Sequence, residues 1–374
     1  MKRMTSRERI LAALRGQQPD RVPVSTYELV GYNSRAFENN DPSYSALMDL
    51  IREKTDCLCM WSPQSSETFL ESAYPVDMDV LEKRMGGAKI VHRTLHTPLG
   101  DLTNTYKIFD NVHTTWVTEH WCKNLDDVDK ALSVPYEPVT FNTADRVRIN
   151  RELSDNGIVM DSVADPLWVT ADLMEFGDYT VWALTEPDRF ARTIDAVHAR
   201  CMENLRRRLD AGPCGLYRIC GPEYATPPYL PPEFFDRFVT AYVREMTDLI
   251  HSRGALVRLH CHGKIGQVLD YIVATGADAV DPCEAPPDGD IELADVKRRA
   301  GGRLCVCGNL QLKLLEQGST EDVARAVRNC MAVAKKDGRY IILPTAAPIN
   351  TPLAPKTAEN YATFIETALA EGMY

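Results

Sequence analysis

The stretch Leu256-Val-Arg-Leu-His-Cys-His-Gly263 is a short, mostly apolar run of β-forming residues that stops in three potential metal ligands. Side chains alternate along a strand, so His260 and His262 share one side and Cys261 points to the other. A second short run, 277–282, ends in Cys283 and Glu284. If the two runs are neighbouring strands, two imidazoles and one carboxylate converge at one rim. His260, His262 and Glu284 then form a known catalytic zinc set, with a fourth position open to substrate or water. A plainer reading stands beside it, since a His-x-His pair at a strand end also serves hydrogen bonding or packing.

Working outward, similar runs recur at 22–27, 56–61, 158–163, 216–220, 304–307 and 339–343. Most are followed by helical periodicity, for example over 188–210, 232–252 and 321–335. With 256–260 and 279–282 they make eight strands, a pattern that predicts an α/β fold, a single (β/α)8 TIM barrel spanning 1–374. The segment 89–121 departs from it. There, apolar, aromatic and Thr residues alternate around Pro98-Leu-Gly100 and Asp110-Asn111, which predicts an inserted region of antiparallel hairpins. At the start, Thr5 or Ser6 caps a helix with Ile10, Leu11 and Leu14 on one face.

Composition narrows the function. Lys and Arg number 42 against 53 Asp and Glu, a net charge of −11. That balance argues against nucleic acid or an anionic membrane as the main partner, because phosphate binding is driven by a basic excess. No run approaches eighteen apolar residues, and the first residues lack the apolar core of a signal peptide. The eleven cysteines, an odd number in a long chain, suit a reducing compartment rather than a disulfide scaffold. A cytoplasmic enzyme acting on a small molecule is the expectation.

In barrels of this kind the chemistry sits where strands stop. Glu223 and Tyr224, after 216–220, are candidates to orient substrate or act as acid and base, or else to cap the approach to a helix in a Pro-rich loop. Asp165 is a candidate partner for a ligating histidine, or the N-cap of the helix that follows. Tyr27, Glu28, Trp168 and Asn309 are candidates to line a substrate pocket, Asn309 alternatively holding loop backbone.

These pieces resemble, in order, the uroporphyrinogen decarboxylase superfamily. The resemblance runs through Thr5-Ser-Arg-Glu-Arg-Ile-Leu-Ala-Ala-Leu-Arg-Gly16, Pro19-Asp-Arg-Val-Pro-Val24, Gly221-Pro-Glu, the His260 stretch, Glu284-Ala-Pro-Pro-Asp-Gly-Asp290, Cys307-Gly-Asn309 and 344–360. It implies one TIM barrel. Uroporphyrinogen decarboxylase itself holds substrate carboxylates with arginines of an N-terminal Met-Arg-Gln-Ala-Gly-Arg type motif. Here that region reads Ser25-Thr-Tyr-Glu-Leu-Val-Gly-Tyr-Asn, with no arginine until Arg35, so true uroporphyrinogen decarboxylation is not expected.

The chain looks closer to the zinc-dependent methyltransferases, which use His-x-Cys after one strand, in methionine synthase a Glu about twenty-two residues later, and a Cys after the last strand. His260 matches the first His, His262 the first Cys, and Glu284 the Glu. The last Cys would fall near 345–347, where there is none. The resemblance thus implies a Zn2+ on His260, His262 and Glu284, with water, substrate or Cys307 as fourth ligand, harder and more Lewis acidic than its thiolate-rich relatives. It also implies methyl transfer to or from a corrinoid. The chain has no Asp-x-His-x-x-Gly signature, so the corrinoid is expected on a partner protein. A decarboxylase or lyase, or a zinc hydrolase, acting on a small carboxylated molecule is the alternative. A homodimer is implied too, with the inserted hairpins as lid or interface.

Overall fold

Seven of the apolar runs pair side by side, in parallel, in a computed structural model of the chain that describes residues 3–66 and 68–374. In chain order, leaving aside the short antiparallel pair Gln64–Ser65 and Phe141–Asn142, the strands are β1 (Cys57–Trp61), then β2 (Asp77–Met85), β3 (Ala88–Thr97), β4 (Gly100–Phe109) and β5 (Val112–Glu119). After these come β6 (Gly157–Ala164), β7 (Leu216–Cys220), β8 (Leu256–Cys261), β9 (Ala279–Pro282), β10 (Cys305–Cys307) and β11 (Tyr340–Ile341). The parallel sheet runs β1-β6-β7-β8-β9-β10-β11. All residues of β7, β9 and β10 are buried, as expected of parallel strands covered by helices. The 24-residue helix Pro187–Asp210 shows how the cover is written: Phe190, Ile194, Val197, Cys201 and Leu205 recur at helical spacing and are all buried.

The run expected as a first strand, 22–27, is not a continuous strand. Pro23 has no N–H to give, and the Val24 N–H goes to the Asp56 carboxylate at 2.8 Å instead of to a neighbouring backbone. What remains is a single parallel bridge between Val24 and Ile342. Around it Ser25 N–H donates to the Ile342 carbonyl, Ile342 N–H to Pro23, and Asp56 N–H to Val24. The 22–25 segment is therefore bonded to chain beside each edge of the sheet.

Strands β2 to β5 form a separate four-stranded antiparallel sheet in that order. It begins at Asp77, earlier than the hairpins expected from 89. Gly86 and Gly87, at φ +61° and +73°, make the turn between β2 and β3, the backbone a tight hairpin requires. Main-chain bonds join this sheet to the loop after β11: His113 N–H donates to the Ile349 carbonyl at 2.7 Å and Thr351 N–H to the Asn111 carbonyl at 3.0 Å. Among the described residues no helix is long and apolar enough to cross a membrane.

Candidate functional site

The site is set by register. Strand β8 lies between β7 and β9, with Arg258 opposite Arg218 on one side and His260 opposite Asp281 on the other. Alternation puts Arg258 and His260 on the same face, and Asp281 reaches both. Its Oδ1 accepts from Arg258 Nε at 2.5 Å and its Oδ2 lies 2.8 Å from His260 Nδ1. Burial alone would favour neutral Asp281, but Arg258 and His260 hold it well below the usual carboxylate range. Burial pushes the His260 imidazole down to about 3 against the pull of Asp281, so the ring is neutral. Its other nitrogen, Nε2, lies 3.4 Å from the Tyr27 hydroxyl.

His262, just beyond the strand, is oriented separately. Its Nδ1 is 3.0 Å from Glu284 Oε1, while Glu284 Oε2 accepts the Gly263 N–H at 2.6 Å. Gly263 turns that N–H onto the carboxylate at φ +83°, a conformation cheap only for glycine. Burial opposes a charge on His262, but Glu284 outweighs it and raises the imidazole above its ordinary value. The two rings meet edge to face with centroids 4.5 Å apart. Each imidazole is thus aimed by a carboxylate at Nδ1, the arrangement that fixes tautomer and orientation in metal-bound and proton-transferring histidines alike.

A zinc ion would need these donors to converge on one point. A separation of 3.0 Å between His262 Nδ1 and Glu284 Oε1 is close to that of two ligands on one ion with bonds of about 2.0–2.1 Å. His260 stands apart from them: Asp281 holds its Nδ1, as in a metal-bound histidine, but its Nε2 faces the Tyr27 hydroxyl at 3.4 Å. Cys307 is fully buried. Among the described residues no group of three or more His, Cys, Asp or Glu side chains is placed to hold a metal ion. As arranged, the expected trio does not fit the ion.

The other expected residues fall around this edge. Asp165 caps the helix Pro166–Ala171 by accepting the Trp168 N–H at 2.7 Å, while its Oδ2 is buried without a partner. Burial pushes Asp165 well above the usual carboxylate range and raises Glu223 as well. Glu223 accepts the Gly221 N–H at 3.2 Å. Tyr224 packs on Phe176 and Tyr179, and burial pushes its hydroxyl up to about 12. The Trp168 side chain is partly exposed. Asn309 donates to the Cys283 carbonyl at 2.8 Å, so its amide holds backbone. Tyr27 and Glu28 both contact Arg218.

Arg218, Arg258 and Asp281 are the residues that reading the sequence missed. A signal was present, for each of these charges sits inside a buried, mostly apolar strand, where it needs a partner.

The comparisons with known proteins come down to fold and family. The model of the family described as Uroporphyrinogen decarboxylase (URO-D) matches residues 108–368. No curated protein matches the chain. Among solved structures, a methyltransferase from Methanosarcina mazei is similar at 16% identity with a TM-score of 0.64, covering 98% of this chain and 99% of that one. A D-psicose 3-epimerase from Clostridium cellulolyticum, solved with D-tagatose, has 11% identity and a TM-score of 0.36 over 60% of this chain and 82% of its own. At these identities the first likeness concerns the fold.

Proposed function

The chain belongs to the uroporphyrinogen decarboxylase (URO-D) family, and from that premise we propose that it is a methyl-transferring enzyme. It would move a methyl group between an oxygen or nitrogen of a small substrate and a corrinoid carried by a separate protein. The observation that carries this reading is the His262–Glu284 contact, formed by two residues at the spacing that resembles the zinc site of methionine synthase. The full-length fold likeness to a methyltransferase agrees with it. We also read the 22–25 segment as the eighth strand of a closed (β/α)8 barrel, one domain over 1–374 with 89–121 inserted; the Val24–Ile342 bridge supports this.

The corrinoid, when bound, supplies the nucleophile that accepts the methyl group. The chain's own part is orientation and proton supply. Glu284 holds Nδ1 of His262, whose Nε2 makes no protein hydrogen bond among the described residues. As the methyl group leaves, the C–O or C–N electron pair stays on the heteroatom, and His262 Nε2–H donates the proton that neutralises it. In the opposite direction the same nitrogen takes a proton from the acceptor. Burial keeps His260 neutral, and Asp281 fixes its ring beside His262. A zinc ion on His260, His262 and Glu284 would take Nε2 of His260 from Tyr27 and leave Asp281 on Nδ1, supplying a Lewis acid when bound.

A second reading is decarboxylation or lyase cleavage of a small carboxylated molecule, with His262 protonating carbon as carbon dioxide or another group departs. The buried Arg218 favours it. One experiment separates the two. The protein is incubated with reduced cobalamin and a panel of methoxy and methylamino compounds, and the visible spectrum is followed for methylcob(III)alamin, while carboxylated members are assayed for carbon dioxide. Methyl transfer that falls at least about a hundredfold in His262→Gln is expected. Carbon dioxide release without methyl transfer would replace the first reading with the second.

A further inference from the structure

Strands β7 and β8 carry arginines at the same rung of their ladder, Arg218 opposite Arg258, and these are only 6% and 1% exposed. Two buried guanidiniums on adjacent strands repel unless anions stand with them. Arg258 has its anion: Asp281 takes it side-on, Nε to Oδ1 and Nη2 to Oδ2, each at 2.5 Å. That carboxylate also serves His260. It is therefore fully occupied on the Arg258 side.

Arg218 is left differently. Its Nη2 donates to the neutral Tyr27 hydroxyl at 2.9 Å, its Nη1 is 3.9 Å from Met60 Sδ, and its Nε–H is buried with no partner. The carboxylate paired with it is Glu28, a single contact of 3.4 Å from a side chain 44% exposed. Glu223 is also buried near this edge, but burial favours its neutral form. A guanidinium this deep, with an orphaned Nε–H and one loosely held counter-ion, is costly to leave so. Glu28 reaches the guanidinium at Nη1, so that is where an incoming carboxylate takes its place, with Nη2 kept by Tyr27.

The surroundings give such a group a way in. Glu28 and Met60, both in contact with Arg218, form the wall of a 240 Å3 cavity together with Phe37, Glu38 and Ala347. Arg218 is not part of that wall and is reached from it through Glu28 and Met60. Tyr27 then bonds Arg218 on one side and lies 3.4 Å from His260 Nε2 on the other, so an anion on Arg218 is held within reach of the histidine edge.

We propose that Arg218 anchors a carboxylate group of the substrate, which displaces Glu28 from the guanidinium. The inference deepens the enzymatic reading of the His260–His262 edge and rests on it for the word substrate. Its test is a binding measurement needing no turnover: calorimetric titration of the full chain with methoxyacetate and with its neutral counterpart, 2-methoxyacetamide. The carboxylate is expected to bind the parent protein at least about tenfold more tightly than the amide. Arg218→Gln removes that preference. Glu28→Gln, which deletes the competing carboxylate, tightens methoxyacetate binding several-fold.

A carboxylate preference that survives in Arg218→Gln overturns the proposal, as does the absence of carboxylate binding in both the parent and Glu28→Gln. Should Arg218→Gln fail to fold, the comparison of parent with Glu28→Gln decides, and unchanged or weaker binding in the variant is a rejection. If Arg218-dependent binding stands while neither methyl transfer nor carbon dioxide release is found, the reaction falls and the anchor remains.

Discussion

Glu38 is a carboxylate at 4% exposure whose Oε1 has no partner, and burial pushes it up from 4.5 to about 6. Because the folded form holds the proton more tightly than the unfolded one, this residue is harmless below about pH 4.5. It costs stability as pH rises through 6. By pH 8 the penalty is on the order of 2 kcal/mol. Glu38→Gln is therefore expected to raise stability by up to that amount at pH 8 and to change little at pH 4, measured by denaturant unfolding at both pH values. Equal effects at both would show that the proton is not the cause. Residues differ in how far the sequence announces them. His260, His262 and Glu284 are legible because a strand end and a fixed spacing name them. Arg258, Asp281 and Arg218 are not, since their partnership exists only once β7, β8 and β9 are in register, and register is a property of three strands at once.

Elements were legible where periodicity and caps agree. Thr5 caps the first helix, Ser6–Leu14, with Glu8 closing a reciprocal capping box, and the apolar runs mark seven strands. The 22–27 run misleads because strand-forming composition says nothing of where backbone N–H groups go, and here Pro23 has none and Val24 gives its own to Asp56. Strand β2 was missed for the opposite reason. Its residues are almost all exposed, so no buried face writes an alternation, and the Gly86-Gly87 turn was the remaining cue. That turn carries its own test. A Cβ at Gly87 meets nothing within 4 Å, so the cost of Gly87→Ala is conformational alone, about 1 kcal/mol for φ +73°. Amide exchange should quicken along the β2–β3 pairing and stay unchanged in β7 and β8. Faster exchange in the central strands would mean that the two sheets unfold together.

For the whole molecule, seven of the eight expected strands were readable from spacing, and the parallel sheet they form carries the histidines at the end of β8. Spacing lists metal donors without saying what else each donor bonds. Glu284 already satisfies His262 and Gly263, and Tyr27 lies against the Nε2 of His260 that would take an ion. The folded state is thus expected not to lean on a cation: a strong chelator should leave the melting temperature within about 1 °C. A fall of several degrees would show that an ion does hold the trio together.

The seam between the antiparallel sheet and the loop after β11 has a consequence for how this chain tolerates change. Its bonds at His113–Ile349 and Asn111–Thr351 are made by peptide groups alone, so they are blind to which side chains occupy those positions. Point substitutions along either segment can drift without undoing the seam. A single inserted or deleted residue offsets one peptide row against the other and unstitches it.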